Sequence, residues 1–395
     1  MLIDLDVAPP PVPVRSRRPP WRTIRVVVAA AVLLLLDGAA VAPRPVVFPQ
    51  VAATGAESVV SSTLTPEALF TAREEDDGVT VVARPLVAGG PSWQAEARGV
   101  ASDGVELSRS GSVLVVRDGD TLRVLDVATG QERWAVQQEL TTVLGDHVLI
   151  TGEEGGVRFA DLETGRVRWR QQTSPAEAAL DSSGRFLCLF DIDSTLQVRS
   201  VTDGRLLAQR TLVDLSETLG PTIVGDRVYL LGASTVIALR LDDLTTAWTG
   251  KPLVLTPTVV AACGDLICVR ARSGVSGLDP ATGALRWTGP GWVGWSSDSS
   301  SAGLAGGIAQ RSDGSNAVLD PATGGVVRLL GRGRVAGDLM LRLDGDRTQV
   351  TDLRTGRLYG TLTEVAPYGC TAAGDFLACR KHGGITVWKI VRTGS

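Results

Sequence analysis

The chain has 395 residues, 44% of them apolar and 21% charged, with a formal net charge of −4. That apolar fraction supports a large core and excludes an intrinsically disordered protein. Five arginines against two aspartates in residues 1–25 leave the rest of the chain at −7, and an acidic body of this kind excludes nucleic acid as a natural partner.

The chain opens on a short basic, Pro-rich segment, residues 1–25, that carries Arg15, Arg17, Arg18, Arg22 and Arg25. A mostly apolar run follows over residues 26–42, interrupted by Asp37 and Gly38. Positive charge ahead of an apolar run keeps that end in the cytoplasm. The expectation is a single N-terminal transmembrane helix, a signal-anchor, with everything after it extracytoplasmic. The competing reading is a cleaved signal peptide with Ala40-Val41-Ala42 as its site, which would make the protein secreted. Pro43, directly after that site, and the long Pro-rich leader favour the anchor. Residues 43–66, with Pro43, Pro45 and Pro49, read as an extended linker.

From residue 67 to 395 the chain repeats itself. Leu125-Asp126-Val127-Ala128-Thr129-Gly130-Gln131-Glu132-Arg133-Trp134 is the fullest copy, and it returns as Leu278 to Trp287 and as Asp161 to Trp169. Weaker copies lie at Leu319 to Gly324, Asp352 to Gly356, Val201 to Gly204, Leu241 to Trp248 and Arg84 to Trp93. The signature turns recur about every 38 residues, a period that belongs to a stacked or circular array. Before each turn come two short apolar runs joined by a polar turn, such as Val113 to Val116, Asp118-Gly119-Asp120 and Leu122 to Leu125. Glycine in such turns accepts the positive φ that tight hairpins need. Near-continuous apolar strands are buried on both faces, so the predicted fold is all-β: a β-propeller of four-stranded antiparallel blades. Trp93, Trp134, Trp169, Trp248 and Trp287 end the motif on the outer strand, where an indole can wedge between blades and bury about 150–250 Å².

This repeated A/L-x-D-x-x-T-G-x-x-x-W pattern resembles the pyrroloquinoline-quinone-like propeller repeat family over residues 68–390. The resemblance implies the propeller fold and leaves the activity open, because the family includes quinone-dependent dehydrogenases, an outer-membrane assembly lipoprotein and anchored proteins of other kinds. The first unit reads as lacking its inner strand and the last its outer strand, which implies closure by strand sharing. Eight blades is the expected number, with seven or nine as alternatives.

The chemistry-bearing residues are few. Family dehydrogenases resemble one another in an adjacent cysteine pair, a calcium site and a catalytic aspartate; this chain has no adjacent cysteines. Cys370 and Cys379 flank a Gly374-Asp375 turn, and Cys263 and Cys268 flank Gly264-Asp265. Each pair reads either as a disulfide of an oxidising compartment or as two small buried hydrophobes. Cys188 reads as core. The two histidines, His147 and His382, sit in unrelated turns, so no zinc site is expected. Acidic turns such as Asp118/Asp120, Asp191/Asp193 and Asp344/Asp346 do not continue into a calcium loop. Trp292 and Trp295 lie outside the docking position on a Gly/Ser-rich connector. They read either as an exposed binding patch or as packing on a neighbouring blade.

No catalytic, cofactor or metal residues are assigned and no enzyme activity is expected. The reading is a membrane-tethered, extracytoplasmic binding or scaffolding propeller for a protein or a cell-envelope polymer. The alternatives are a quinone-dependent dehydrogenase or other cofactor-binding propeller, and a ligand-sensing ectodomain.

Overall fold

The computed structural model describes residues 48–392 except 56–58, 77, 101–103, 119, 138, 153–155, 174, 213–218, 252–255, 297–306 and 382. The basic segment, the anchor and the cleavage site expected before residue 48 lie outside the described residues. Among the described residues no helix is long and apolar enough to cross a membrane.

Each apolar run forms a strand, and the strands group into four-stranded antiparallel sheets, nine of them among the described residues. The blades, numbered along the chain, span residues 59–98, 106–136, 140–171, 175–211, 219–250, 257–290, 292–332, 334–363 and 370–389. Strands buried on both faces carry the core: Val113–Arg117 and Gly274–Leu278 are apolar almost throughout and nearly all buried. Nine hydrophobic clusters lie one at each blade interface. Phe70 and Leu114 share the one between blades 1 and 2, and Leu69 and Val387 the one between blades 1 and 9. The ring therefore closes on itself.

The blade number corrects the expectation of eight. Eight blades bear the signature turn, and the ninth does not, because its chain never makes that turn. Its outer strand is Gln50–Ala53, which pairs antiparallel with Gly384–Lys389. Strand sharing between the ends is as expected, whereas blade 1 has all four strands of its own, so it lacks no inner strand. The linker expected over 43–66 is also corrected. Gln50–Ala53 and Val59–Leu64 belong to blades 9 and 1, so the propeller begins well before residue 67. Proline at position 49 lies just outside the first of these strands, where its missing N–H costs no ladder bond.

The aspartate of the repeat shapes the turn. Asp126 Oδ1 accepts the amides of Ala128 and Thr129, both at 2.9 Å, and the Thr129 hydroxyl at 3.1 Å. Gly130 then takes φ +74°, and its amide closes the turn on the Asp126 carbonyl at 2.8 Å. Asp161, Asp279, Asp320 and Asp352 bind their own turns in the same way.

Candidate binding site: a cleft between blades 4 and 5

The five predicted indoles share one geometry. Each Nε1–H donates to the carbonyl three residues before the turn glycine of the next blade. The pairs are Trp93 to Val127 (2.8 Å), Trp134 to Leu162 (2.9 Å), Trp169 to Val201 (3.1 Å), Trp248 to Pro280 (2.8 Å) and Trp287 to Pro321 (2.8 Å). Each ring also covers that glycine: a Cβ on Gly130, Gly165, Gly204, Gly283 or Gly324 would stand 2.4–2.6 Å from indole carbon. The wedge role read from the sequence is thus a stacked, hydrogen-bonded seat on the neighbouring turn.

Of the four interfaces without this seat, two join blades that both bear the signature turn, and these depart from it in ways the sequence reading missed. Register places Arg328 of blade 7 at the tryptophan position, and its guanidinium donates to the Leu353 carbonyl, three residues before Gly356. Between blades 4 and 5, Ala208 stands where the indole would be. Leu244 stands where the glycine would be, at φ +57°, fully buried in the cluster that also holds Leu241, Leu207 and Ala208. The large and small partners have changed sides.

A second exchange opens this interface. The residue before the indole is arginine in blades 2, 3 and 6. Arg133 reaches Asp126 of its own turn and, across the interface, Glu163 of blade 3, both at 2.7 Å. Ser112 also donates to Glu163, at 2.6 Å. In blade 4 the arginine is Leu207, the serine is Arg185 and the turn aspartate is Ser200. Opposite them, Asp242 takes the place of Glu163 but pairs with Arg240 of its own turn at 2.8 Å. Arg210 of blade 4 does cross to the Leu244 carbonyl (2.9 Å) and the Thr246 hydroxyl (2.8 Å) of blade 5, but no side chain takes the place of the Arg133–Glu163 bridge, and a cleft of about 650 Å³ remains. It is lined by Phe186, Leu207 and Leu241 as its apolar part and by Asp181, Arg185, Asp226, Arg240 and Asp242 around it.

The charges of the cleft are fixed in place. Burial opposes ionisation of Asp181, but the Ser183 hydroxyl and the amides of Phe186, Ser183 and Arg185 together hold its carboxyl below the usual range. The Arg240 hydrogen bond lowers Asp242 likewise. The Arg185 guanidinium lies 5.2 Å from the Phe186 ring centre and donates through Nε to Ser183 at 3.0 Å. The signal in the sequence was the lost glycine at Leu244 together with the lost tryptophan at Ala208.

The other singled-out residues sit elsewhere. Cys263 and Cys268 are bonded to each other, as are Cys370 and Cys379, the latter pair directly opposite across their hairpin. Cys188 is a free, buried thiol whose pKa burial pushes up. Trp292 and Trp295 form no exposed patch; of the two readings, packing on a neighbouring blade is the one the structure shows. Trp292 is 4% exposed beneath the Arg311 guanidinium, and Trp295 packs 6.1 Å from Trp287 in the cluster between blades 6 and 7. The adjacent cysteine pair and calcium site that the resemblance to dehydrogenases implies are not found among the described residues. The bonded cysteines lie within single hairpins, and among the described residues no group of three His, Cys, Asp or Glu side chains is placed to hold a metal.

A family model described as outer membrane protein assembly factor BamB matches residues 75–218 and 195–291. Over 181 residues, 42% of this chain, the sequence is 26% identical to a polyvinylalcohol dehydrogenase of Sphingopyxis sp. (strain 113P3), and the match spans 25% of that protein. The chain thus spans about a quarter of the length of this curated relative. The fold is similar to the computationally designed Ika8 protein (TM-score 0.52, 17% identity, 72% of this chain and 95% of that one). It is also similar to Chaetomium thermophilum Sqt1, solved bound to the N-terminus of ribosomal protein L10 (TM-score 0.54, 14% identity, 87% of this chain and 100% of that one).

Proposed function

The chain belongs to the PQQ-like propeller repeat family described as outer membrane protein assembly factor BamB, and from that premise we propose that it is a non-enzymatic binding module, tethered at residues 26–42 and working on the outer side of a bacterial membrane. Its partner is a protein or a cell-envelope polymer met by the turn-bearing rim of the ring.

The observation that carries this reading is the cleft between blades 4 and 5. The repeat fills the equivalent space with its own Arg133–Glu163 bridge between blades 2 and 3, and this interface leaves it open to a ligand. The motif aspartates, the residues a dehydrogenase would need for acid–base work, are taken up by turn amides and hydroxyls. A propeller of this shape serving as a protein receptor has a parallel in Sqt1 with its bound ribosomal segment.

The test is proximity labelling in the native cell from a peroxidase fused after Ser395. Enrichment of extracytoplasmic proteins or envelope polymer is the expected outcome. Labelling confined to cytoplasmic proteins overturns the topology, and no enrichment overturns the binding role. The likeness to a polyvinylalcohol dehydrogenase keeps one second reading, a quinone-carrying enzyme. Visible absorbance of a quinone in the purified protein would favour it.

A further inference from the structure

The geometry points to one arginine side chain of a basic polypeptide segment as the occupant of the cleft between blades 4 and 5. This inference deepens the proposed function and rests on it. Its template is inside the molecule. Between blades 2 and 3, Arg133 lays its stem along the interface and bridges to Glu163. At the blade 4–5 interface Leu207 replaces that arginine and Asp242 replaces that glutamate, so the acceptor stays, paired with Arg240 of its own turn, while the cation that reaches it across the interface is lost.

The lining suits such a side chain on three counts. Phe186, Leu207 and Leu241 provide an apolar wall for the trimethylene stem, and Arg185 beside it already lies over the Phe186 ring, as a guanidinium does on an aromatic face. Asp242 and Asp226 stand at the blade 5 side, 64% and 88% exposed, within a lining of three carboxylates against two guanidiniums. The Asp242 carboxylate keeps lone pairs for a second guanidinium beside Arg240, since a carboxylate offers about four acceptor sites. Beyond the cleft, the chain after residue 25 is acidic at −7, which favours encounter with a basic segment. Arginine is preferred over lysine because its planar fork both stacks and pairs bidentately.

The probe is an acetylated, amidated, fluorescently labelled pentapeptide with a central arginine, titrated against the full chain by anisotropy. Companion peptides carry norleucine, lysine or glutamate at the centre. The arginine peptide is expected to bind at least tenfold more tightly than the norleucine or glutamate peptide and several-fold more tightly than the lysine one. Leu207→Arg, which rebuilds the bridge of blades 2 and 3, should lower that affinity at least tenfold while the melting temperature holds or rises. Asp242→Asn and Asp226→Asn should each lower it several-fold. Equal binding of the norleucine peptide, tighter binding of the glutamate peptide, or unchanged binding by Leu207→Arg would each overturn the assignment. Proximity labelling separates the two levels. If no arginine peptide binds yet the native partners are still labelled, the occupant is wrong and the binding role stands; if both fail, both fall.

Discussion

The indole of Trp134 covers Gly165 of the next blade so closely that a Cβ on that glycine would stand 2.6 Å from the ring. Gly165 also takes φ +68°, so two separate demands fall on it. Gly356 isolates one of them: its φ is +73°, yet a Cβ there would meet nothing within 4 Å. Gly356→Ala should therefore cost only the left-handed strain, about 1–2 kcal/mol. Gly165→Ala adds overpacking against the indole and should cost about 3–4 kcal/mol. Urea unfolding of the two variants checks this, and equal losses would remove the ring from the argument.

Trp134→Ala takes away the other half of the same contact. It deletes a large interface side chain and its 2.9 Å bond to the Leu162 carbonyl, and should destabilise by about 3–5 kcal/mol. Because the seat recurs at five interfaces, Trp287→Ala should behave alike. A melting temperature unchanged in both would contradict the wedge.

What the sequence made legible follows from which signals are local. The seat of each indole was readable because glycine, aspartate and tryptophan recur at fixed spacing. The turn chemistry was readable because Asp126 binds amides two and three residues on. The ninth blade was not, because its outer strand Gln50–Ala53 comes from the far end of the described chain and leaves no hairpin turn to count. That strand was hidden again by the prolines around it, which read as a tether. Trp292 stayed open between two readings because glycine and serine neighbours imitate an exposed loop, while the burial comes from a blade that the local sequence does not show. The cleft was least legible. Leu207 and Ala208 look like any strand residues, and only comparison with Arg133 and Trp134 reveals what is missing.

Ala208 and Leu244 should be energetically coupled, since each fills the space the other leaves. Leu244→Gly alone empties a buried site but relieves the left-handed strain of a leucine at φ +57°, and should cost about 1–3 kcal/mol net. Ala208→Trp alone forces an indole against Leu244 and should cost about 1–3 kcal/mol. Together they rebuild the seat found at five other interfaces, and the pair should recover at least about 2 kcal/mol relative to the sum. A double-mutant cycle by chemical denaturation measures the term. Strict additivity would mean that the two side chains do not share one space.

The ring is closed by hydrogen bonds between Gln50–Ala53 and Gly384–Lys389, without a covalent turn, and the bond between Cys370 and Cys379 ties the other two strands of that blade. Replacing both cysteines by serine should destabilise by about 2–3 kcal/mol, the value for a loop this short. Unfolded without reductant, the wild-type chain should show one reactive thiol, Cys188. Three or five would remove one or both bridges.

Acid should loosen the turns in a defined window. The Arg133 hydrogen bond, with the Thr129 and Ala128 amides, holds the Asp126 carboxyl at about 2 against its ordinary 3.8, despite the opposing effect of desolvation. A folded-state value below the unfolded one means that the ionised carboxylate stabilises the fold above the unfolded value, and that this contribution is lost as pH falls through the folded value. Asp126→Asn keeps an acceptor for the turn amides and removes the charge that Arg133 meets at 2.7 Å. The variant should be less stable than wild type at pH 7, and the gap should narrow below pH 3.8 and close near pH 2. Urea titrations across that range measure it. A gap that stays constant down to pH 2 would show that the carboxylate stabilises the turn by shape alone and that its charge has no part in it.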